Sequence, residues 1–160
     1  LLPVGACVYL SLRRSEDAPL ARMYRTEASL RVLVNAIETY RDAHGAYPPA
    51  GPKGLDAAVR YLSRNVDYMP GGAPLDAWDR PFHYVPHAQY AEPGSAALRN
   101  SRGGFHAPNS YQVYSSGADG DPGLANSAAA GDNITSWDAR RSWRAVYRTL
   151  NRQYTKERGR

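Results

Sequence analysis

The sequence predicts an α+β domain, and three observations carry that reading. Apolar residues recur at helical spacing from about Ala18 to His44. Beyond residue 70 the pattern breaks into short apolar runs separated by Gly, Pro, Asp and Asn. Those runs are too short for helices and order themselves as a small antiparallel sheet after the helix.

In the first segment Leu30, Leu33, Ile37, Tyr40 and His44 fall at intervals of three and four, while Arg31, Asn35, Glu38, Arg41 and Asp42 lie off the stripe. Leu33, Ile37 and Tyr40 are therefore expected to be structural. Gly45 supplies a C-terminal stop, and Tyr47-Pro48-Pro49 prevents the helix from resuming. Leu55, Ala58, Val59 and Leu62 mark a second, shorter helix between Gly54 and Asn65. Pro70-Gly71-Gly72 opens a loop, and Phe82-His83-Tyr84-Val85 reads as a strand entered from Pro81. Residues 89–109 hold Gly, Ser, Pro and Asn with little apolar pattern, the signature of a mobile insertion. Tyr111-Gln112-Val113-Tyr114 is the second strand. A Gly/Asp/Asn loop over 116–133 leads to Ile134-Thr135-Ser136-Trp137, a short last strand. Trp78 and Trp137 are expected to anchor the sheet.

The 160 residues carry a net charge of +5, but the charge is unevenly placed. Residues 1–138 hold 12 Lys+Arg against 14 Asp+Glu, and residues 139–160 hold 8 against 1. The body is mildly acidic, so the composition does not suggest a nucleic-acid-binding domain. The basic tail has helical spacing, with Trp143, Val146, Tyr147, Leu150 and Tyr154 on one face. Such a helix either docks on its own domain or lies on an anionic membrane or partner; docking is the commoner outcome.

The chain starts Leu1-Leu2-Pro3-Val4-Gly5-Ala6-Cys7-Val8-Tyr9-Leu10-Ser11-Leu12 and then reads Arg13-Arg14. Twelve mostly apolar residues fall short of the roughly 20 needed to span a bilayer. Residues 1–14 read best as the end of a longer apolar membrane anchor. A cleaved signal remnant, a lipoprotein box ending at Cys7 and a buried segment compete with that reading. The apolar run continuing past Cys7 argues against lipid attachment.

No catalytic constellation is present in the sequence. His44, His83, His87 and His106 are scattered without a metal-helix spacing, and no serine-elbow, Walker or dinucleotide glycine motif occurs. The single cysteine rules out a disulfide framework. One stretch is chemically suggestive: Ser116-Gly117-Ala118-Asp119-Gly120-Asp121, followed by Gly131-Asp132-Asn133. Short oxygen-bearing side chains and glycines let a backbone curl until oxygens converge, as Ca2+ requires. It is not an EF-hand, because the twelfth position from Asp119 is Ala130. A solvated turn without an ion is the alternative.

Taken together, these landmarks resemble the major, G-type pseudopilin of the bacterial type II secretion system, in the pilin-like superfamily. The resemblance rests on Leu30–Tyr40 as the end of a long helix, and on Tyr40-Arg41-Asp42-Ala43-His44-Gly45-Ala46-Tyr47-Pro48 as the turn after it. Gly54-Leu55 then opens the next helix, and Leu75-Asp76-Ala77-Trp78-Asp79-Arg80-Pro81-Phe82-His83-Tyr84 is similar to the family's Trp-containing segment. Tyr114–Gly120 and Asp132–Trp137 are similar to its two loop signatures. It covers roughly residues 28–137. Asp76-Ala77-Trp78-Asp79 lacks the family's Pro and Gly, and the tail after Asp138 lies outside the pattern.

The resemblance implies a pilin-like fold: a long N-terminal helix packed on a small antiparallel sheet, with a C-terminal calcium-binding loop. It divides the chain into an anchor over 1–14, a pseudopilin-like domain over 15–138 and a basic extension over 139–160. It implies calcium as the cofactor, held by a Ser116 carbonyl and by side-chain oxygens of Asp119 and Asp132. Asn133 stands where a second acid often occurs. The implied role is a non-enzymatic subunit in the inner membrane, with its domain in the periplasm. Its partners would be further copies in a filament, other pseudopilins and inner-membrane secretion components. The alternative is an anchored cell-envelope binding module that does not polymerise.

Overall fold

The computed structural model describes residues 18–65, 72–124 and 129–158. The chain forms α1 (Pro19–His44), α2 (Pro52–Asn65), β1 (His83–Pro86), β2 (Tyr111–Ser115), β3 (Ile134–Thr135) and α3 (Trp143–Arg158). The anchor expected over residues 1–14 lies outside the described residues. Among the described residues, no helix is long and apolar enough to cross a membrane.

Helix α1 opens on Pro19, whose missing N–H is no loss in a first turn. It closes where Gly45, at φ 72°, donates its amide to the Arg41 carbonyl at 2.8 Å. Met23, Leu30, Leu33, Ala36 and Ile37 form its buried stripe. The stripe fades at its end: Tyr40 is half-buried and His44 is exposed, its ring stacked on Tyr40 at 4.0 Å. Helix α2 covers α1 with Leu55, Ala58, Val59 and Leu62. At Gly54 a Cβ would overlap the Pro49 carbonyl, so this tight entry into α2 admits only glycine.

The three strands form one antiparallel sheet in the order β1-β2-β3, with Tyr84 opposite Val113 and Ser115 opposite Ile134. All five residues of β2 are buried. Tyr111 and Val113 join the core under α1, with Tyr84 and Ile134. Gln112 and Tyr114 are covered from the other side by the insertion.

That insertion is not the featureless segment the sequence predicts. Tyr90 and Ala97 pack with Val85, flanked by Phe105, and Arg99 and Phe105 form an isolated bridge. The buried Gln112 side chain accepts from the Leu98 amide at 2.6 Å and donates to the carbonyls of Leu98 and His106 at 2.9 Å. Tyr114 donates its hydroxyl to the Ala96 carbonyl at 2.8 Å. The insertion is therefore the lid over the second face of β2.

The basic tail docks on its own domain. Trp143 and Tyr147 enter the main core, and Glu27, buried in α1, receives Arg144 and Arg141. Trp143 and Tyr147 are buried more deeply than the expected anchors. Trp78 is half-buried, 5.8 Å from the Tyr147 ring. Trp137 is also half-buried, stacked on His106 at 5.2 Å and edge-on to Tyr114 at 5.6 Å. The last strand ends at Thr135, where Ser136 and Trp137 enter a bend, although Ser136 still donates its amide to the Val113 carbonyl at 3.0 Å.

Candidate functional site

The pairing of Ser115 with Ile134 brings the two ends of the Gly/Asp/Asn loop together. Ser116 and Gly117 leave β2 beside Asp132 and Asn133, which enter β3 from a 3-10 turn at Ala129–Asp132. The carboxylate of Asp132 closes the loop: its Oδ2 accepts from the amides of Ala118 at 2.6 Å and Asp119 at 3.1 Å. The approach is close enough that a Cβ on Gly117, at φ 68°, would collide with the Asp132 carboxylate and carbonyl. Tyr147 donates to that carbonyl at 3.1 Å, tying α3 to the loop.

Two oxygens stand out. Asp132 Oδ1 and Asn133 Oδ1 are buried and receive no hydrogen bond. A buried, under-satisfied carboxylate oxygen is costly. Accordingly, burial pushes the Asp132 carboxyl above its ordinary pKa, against the opposing pull of the amides that donate to it. The Asn133 amide nitrogen is used, donating to the Pro122 carbonyl at 3.0 Å.

The other two expected residues are placed differently. Asp119 is exposed, and its Oδ1 accepts from the Asp121 amide at 2.8 Å. Ser116 is buried, its hydroxyl 2.8 Å from His83 Nε2. Burial pushes the His83 pKa down, so its ring is neutral near pH 7. Among the described residues, no three acidic, histidine or cysteine side chains converge as a metal group. The loop thus offers two unpaired buried oxygens and one charge in need of compensation. Those features fit a hard cation, with backbone carbonyls needed to complete the shell.

Sequence reasoning missed the groups that hold this loop from outside. Asp76 is buried, accepting from the amides of Trp78 at 2.9 Å and Arg80 at 3.0 Å and from the Ser115 hydroxyl at 2.6 Å. This is an Asx-type turn, in which a short side chain ties down the backbone that follows it. It directs Arg80 at the loop, where Nη2 donates to the Gly117 carbonyl and the guanidinium lies against Gly120. The Asp76–Arg80 spacing of four was visible in the sequence; the loop contact, 37 residues away, was not.

The profile of the family described as type II secretion system (T2SS), protein G, matches residues 15–137. No curated protein and no solved structure matches the chain significantly. The match spans α1, α2, the sheet and the loop, and ends before α3. Pseudopilins of this kind are envelope-associated structural components of the secretion machinery rather than known enzymes. A helix-on-sheet fold with its loop closed between β2 and β3, matched over three-quarters of its length, places this chain in the T2SS protein G family of pseudopilins.

Proposed function

We propose that this chain is the repeating subunit of a pseudopilus, polymerising through its N-terminal helix to help drive folded proteins across the outer membrane. The family match, which begins four residues ahead of α1 and runs through the loop, is the observation that carries this reading. In it, the apolar residues ahead of α1 anchor the subunit in the inner membrane and the domain lies in the periplasm. Its partners are further copies of itself, other pseudopilins and inner-membrane components of the system. No catalytic step belongs to the subunit.

Calcium completes the reading. Asp132 and Asn133 would hold the ion through their unpaired oxygens, joined by the exposed Asp119 carboxylate and the Ser116 carbonyl. The ion would supply the positive charge that the buried Asp132 lacks. The chain's own part is to close the loop, through the amides of Ala118 and Asp119 and the Arg80 guanidinium.

The test is assembly in a secreting bacterium that lacks its own major pseudopilin. The full-length precursor, with single cysteines at exposed α1 positions such as Arg31 and Asn35, should give a ladder of cross-linked multimers and restore secretion. Asp132→Ala should reduce both. A cross-linked product that never exceeds the monomer would instead favour an anchored, non-polymerising binding module.

A further inference from the structure

Helix α3 lies outside the family match, and Trp143 and Tyr147 on its apolar face are already spent on the core. Its opposite face is a stripe of cations. Arg148, Arg152 and Lys156, at i, i+4 and i+8, are all exposed. Among the described residues, none of the three makes an ion pair, and Arg152 only reaches Thr149 Oγ1 at 3.2 Å. Arg158 lies beyond them, over the Tyr154 ring. Here the helix differs from its start, where Arg144 in the first turn and Arg141 just ahead of it are spent on Glu27.

The direction of α3 decides what this stripe faces. Arg141 reaches Glu27; Arg144, one turn on, reaches Glu27 and lies 5.8 Å from the Tyr24 ring centre. Leu20 and Leu150 then pack at the edge of the same core. The contacts step toward the N-terminal end of α1, so α3 runs back along it. After Leu150 the helix continues for eight residues, of which Arg152, Gln153 and Thr155–Arg158 are exposed. Eight helical residues extend about 12 Å. From Tyr24 to the first residue of α1 is only five positions. The free end of α3 therefore projects past the start of α1, the end that follows the apolar, arginine-terminated segment.

We infer that the Arg148–Arg152–Lys156 face of α3 is a docking surface for the anionic phospholipid headgroups of the membrane from which α1 emerges. This inference rests on the anchoring reading for its geometry, and on charge complementarity for its partner. Adsorption is electrostatic, because Trp143 and Tyr147 are committed to the core and Val146 is the one exposed large aliphatic side chain among the described residues of the helix. Each Lys or Arg near an anionic surface contributes roughly a fivefold gain in partitioning, lost as salt screens it. The consequence would be a domain held down on the bilayer before assembly and released when it is extracted into a filament.

The experiment measures binding of the whole chain to vesicles of phosphatidylcholine alone and of phosphatidylcholine with 30% phosphatidylglycerol, in about 0.1 M and 0.5 M salt. The expected result is an anionic preference of at least tenfold in low salt, and it is this preference, rather than all binding, that high salt abolishes. It should also be abolished in Arg148→Gln/Arg152→Gln/Lys156→Gln. The matched control Lys53→Gln/Arg60→Gln/Arg64→Gln, which removes three exposed cations from α2, should retain it. Equal binding of the wild type to both vesicle types would overturn the inference while leaving anchoring intact. Equal loss in both triple variants would overturn it as a mere net-charge effect. Anionic-specific binding without any salt-resistant binding to neutral vesicles would uphold it and count against the anchor. A protein partner in place of lipid would show as no anionic preference at all.

Discussion

Glu27 and Arg144, 117 positions apart in sequence, meet in a two-point ion pair with both oxygens 2.9 Å from Nη2. Arg141 adds a third contact at 3.0 Å. The carboxylate is almost fully buried in α1, while the two arginines are roughly a third and two-fifths exposed. The pair joins buried Trp143 and Tyr147 in fastening the family-external helix to the family fold.

The asymmetry of burial sets the order of the mutational effects. Arg144→Met leaves a buried carboxylate with only its weaker partner and should be clearly destabilising, by less than the loss of a fully buried pair because the arginine is partly solvated. Glu27→Met removes the buried charge itself and should cost less. Urea titrations of the two variants and the double variant check this. A greater loss in Glu27→Met would contradict it.

Trp143 should matter more to stability than Trp137. Trp143 is 3% exposed within the main core, so Trp143→Ala should cost about 3–5 kcal/mol. Trp137, half-buried between His106 and Tyr114, should cost distinctly less. Thermal unfolding of both alanine variants compares them directly.

Much of the scaffold was legible because helices and strands write their period locally. Leu30, Leu33 and Ile37 announced the buried face of α1, and Trp143 and Tyr147 announced a docked tail. Tyr40 and His44 continued the stripe, but there they meet the ring of Tyr61 from α2 edge-on, at 6.1 and 4.9 Å, and that single ring leaves Tyr40 half-buried and His44 exposed. The insertion looked structureless because its fold comes from Gln112 of β2 binding the backbone of Leu98 and His106, not from a period of its own. The candidate loop was legible in Asp132 and Asn133, whose unpaired oxygens remain. Arg80 and Asp76 were not, since their contacts with Gly117 and Ser115 exist only after the sheet has formed.

Acid should loosen the sheet side of the domain. Burial lowers the His106 pKa, outweighing the pull of Asp138 in the other direction. A depressed histidine pKa means the unfolded chain binds the proton first. Stability from this group is therefore complete above about pH 6.5 and declines as pH falls toward the folded value. Melting followed from pH 7.5 to 5.5 should show a smaller decline for His106→Asn than for the wild type; parallel curves would exclude the effect.

Arg80 should act as the loop's own fixed cation. Arg80→Gln removes the donor to the Gly117 carbonyl and should speed proteolysis between Gly120 and Gly131 several-fold in chelator, with global melting changed much less. Mapping the cleavage sites by mass spectrometry distinguishes this from global unfolding. Unchanged cleavage would mean that Asp132 alone closes the loop.

The thermal stability of the chain in excess calcium and in chelator, wild type beside Asp132→Ala, tests the loop most directly. At free calcium a hundredfold above the dissociation constant, ion binding should add about 2.7 kcal/mol, because the unfolded chain lacks the converged oxygens. The wild type should therefore melt several degrees higher in calcium, and Asp132→Ala should melt at one temperature in both. An identical melting temperature for the wild type in calcium and in chelator would contradict the calcium-closed loop.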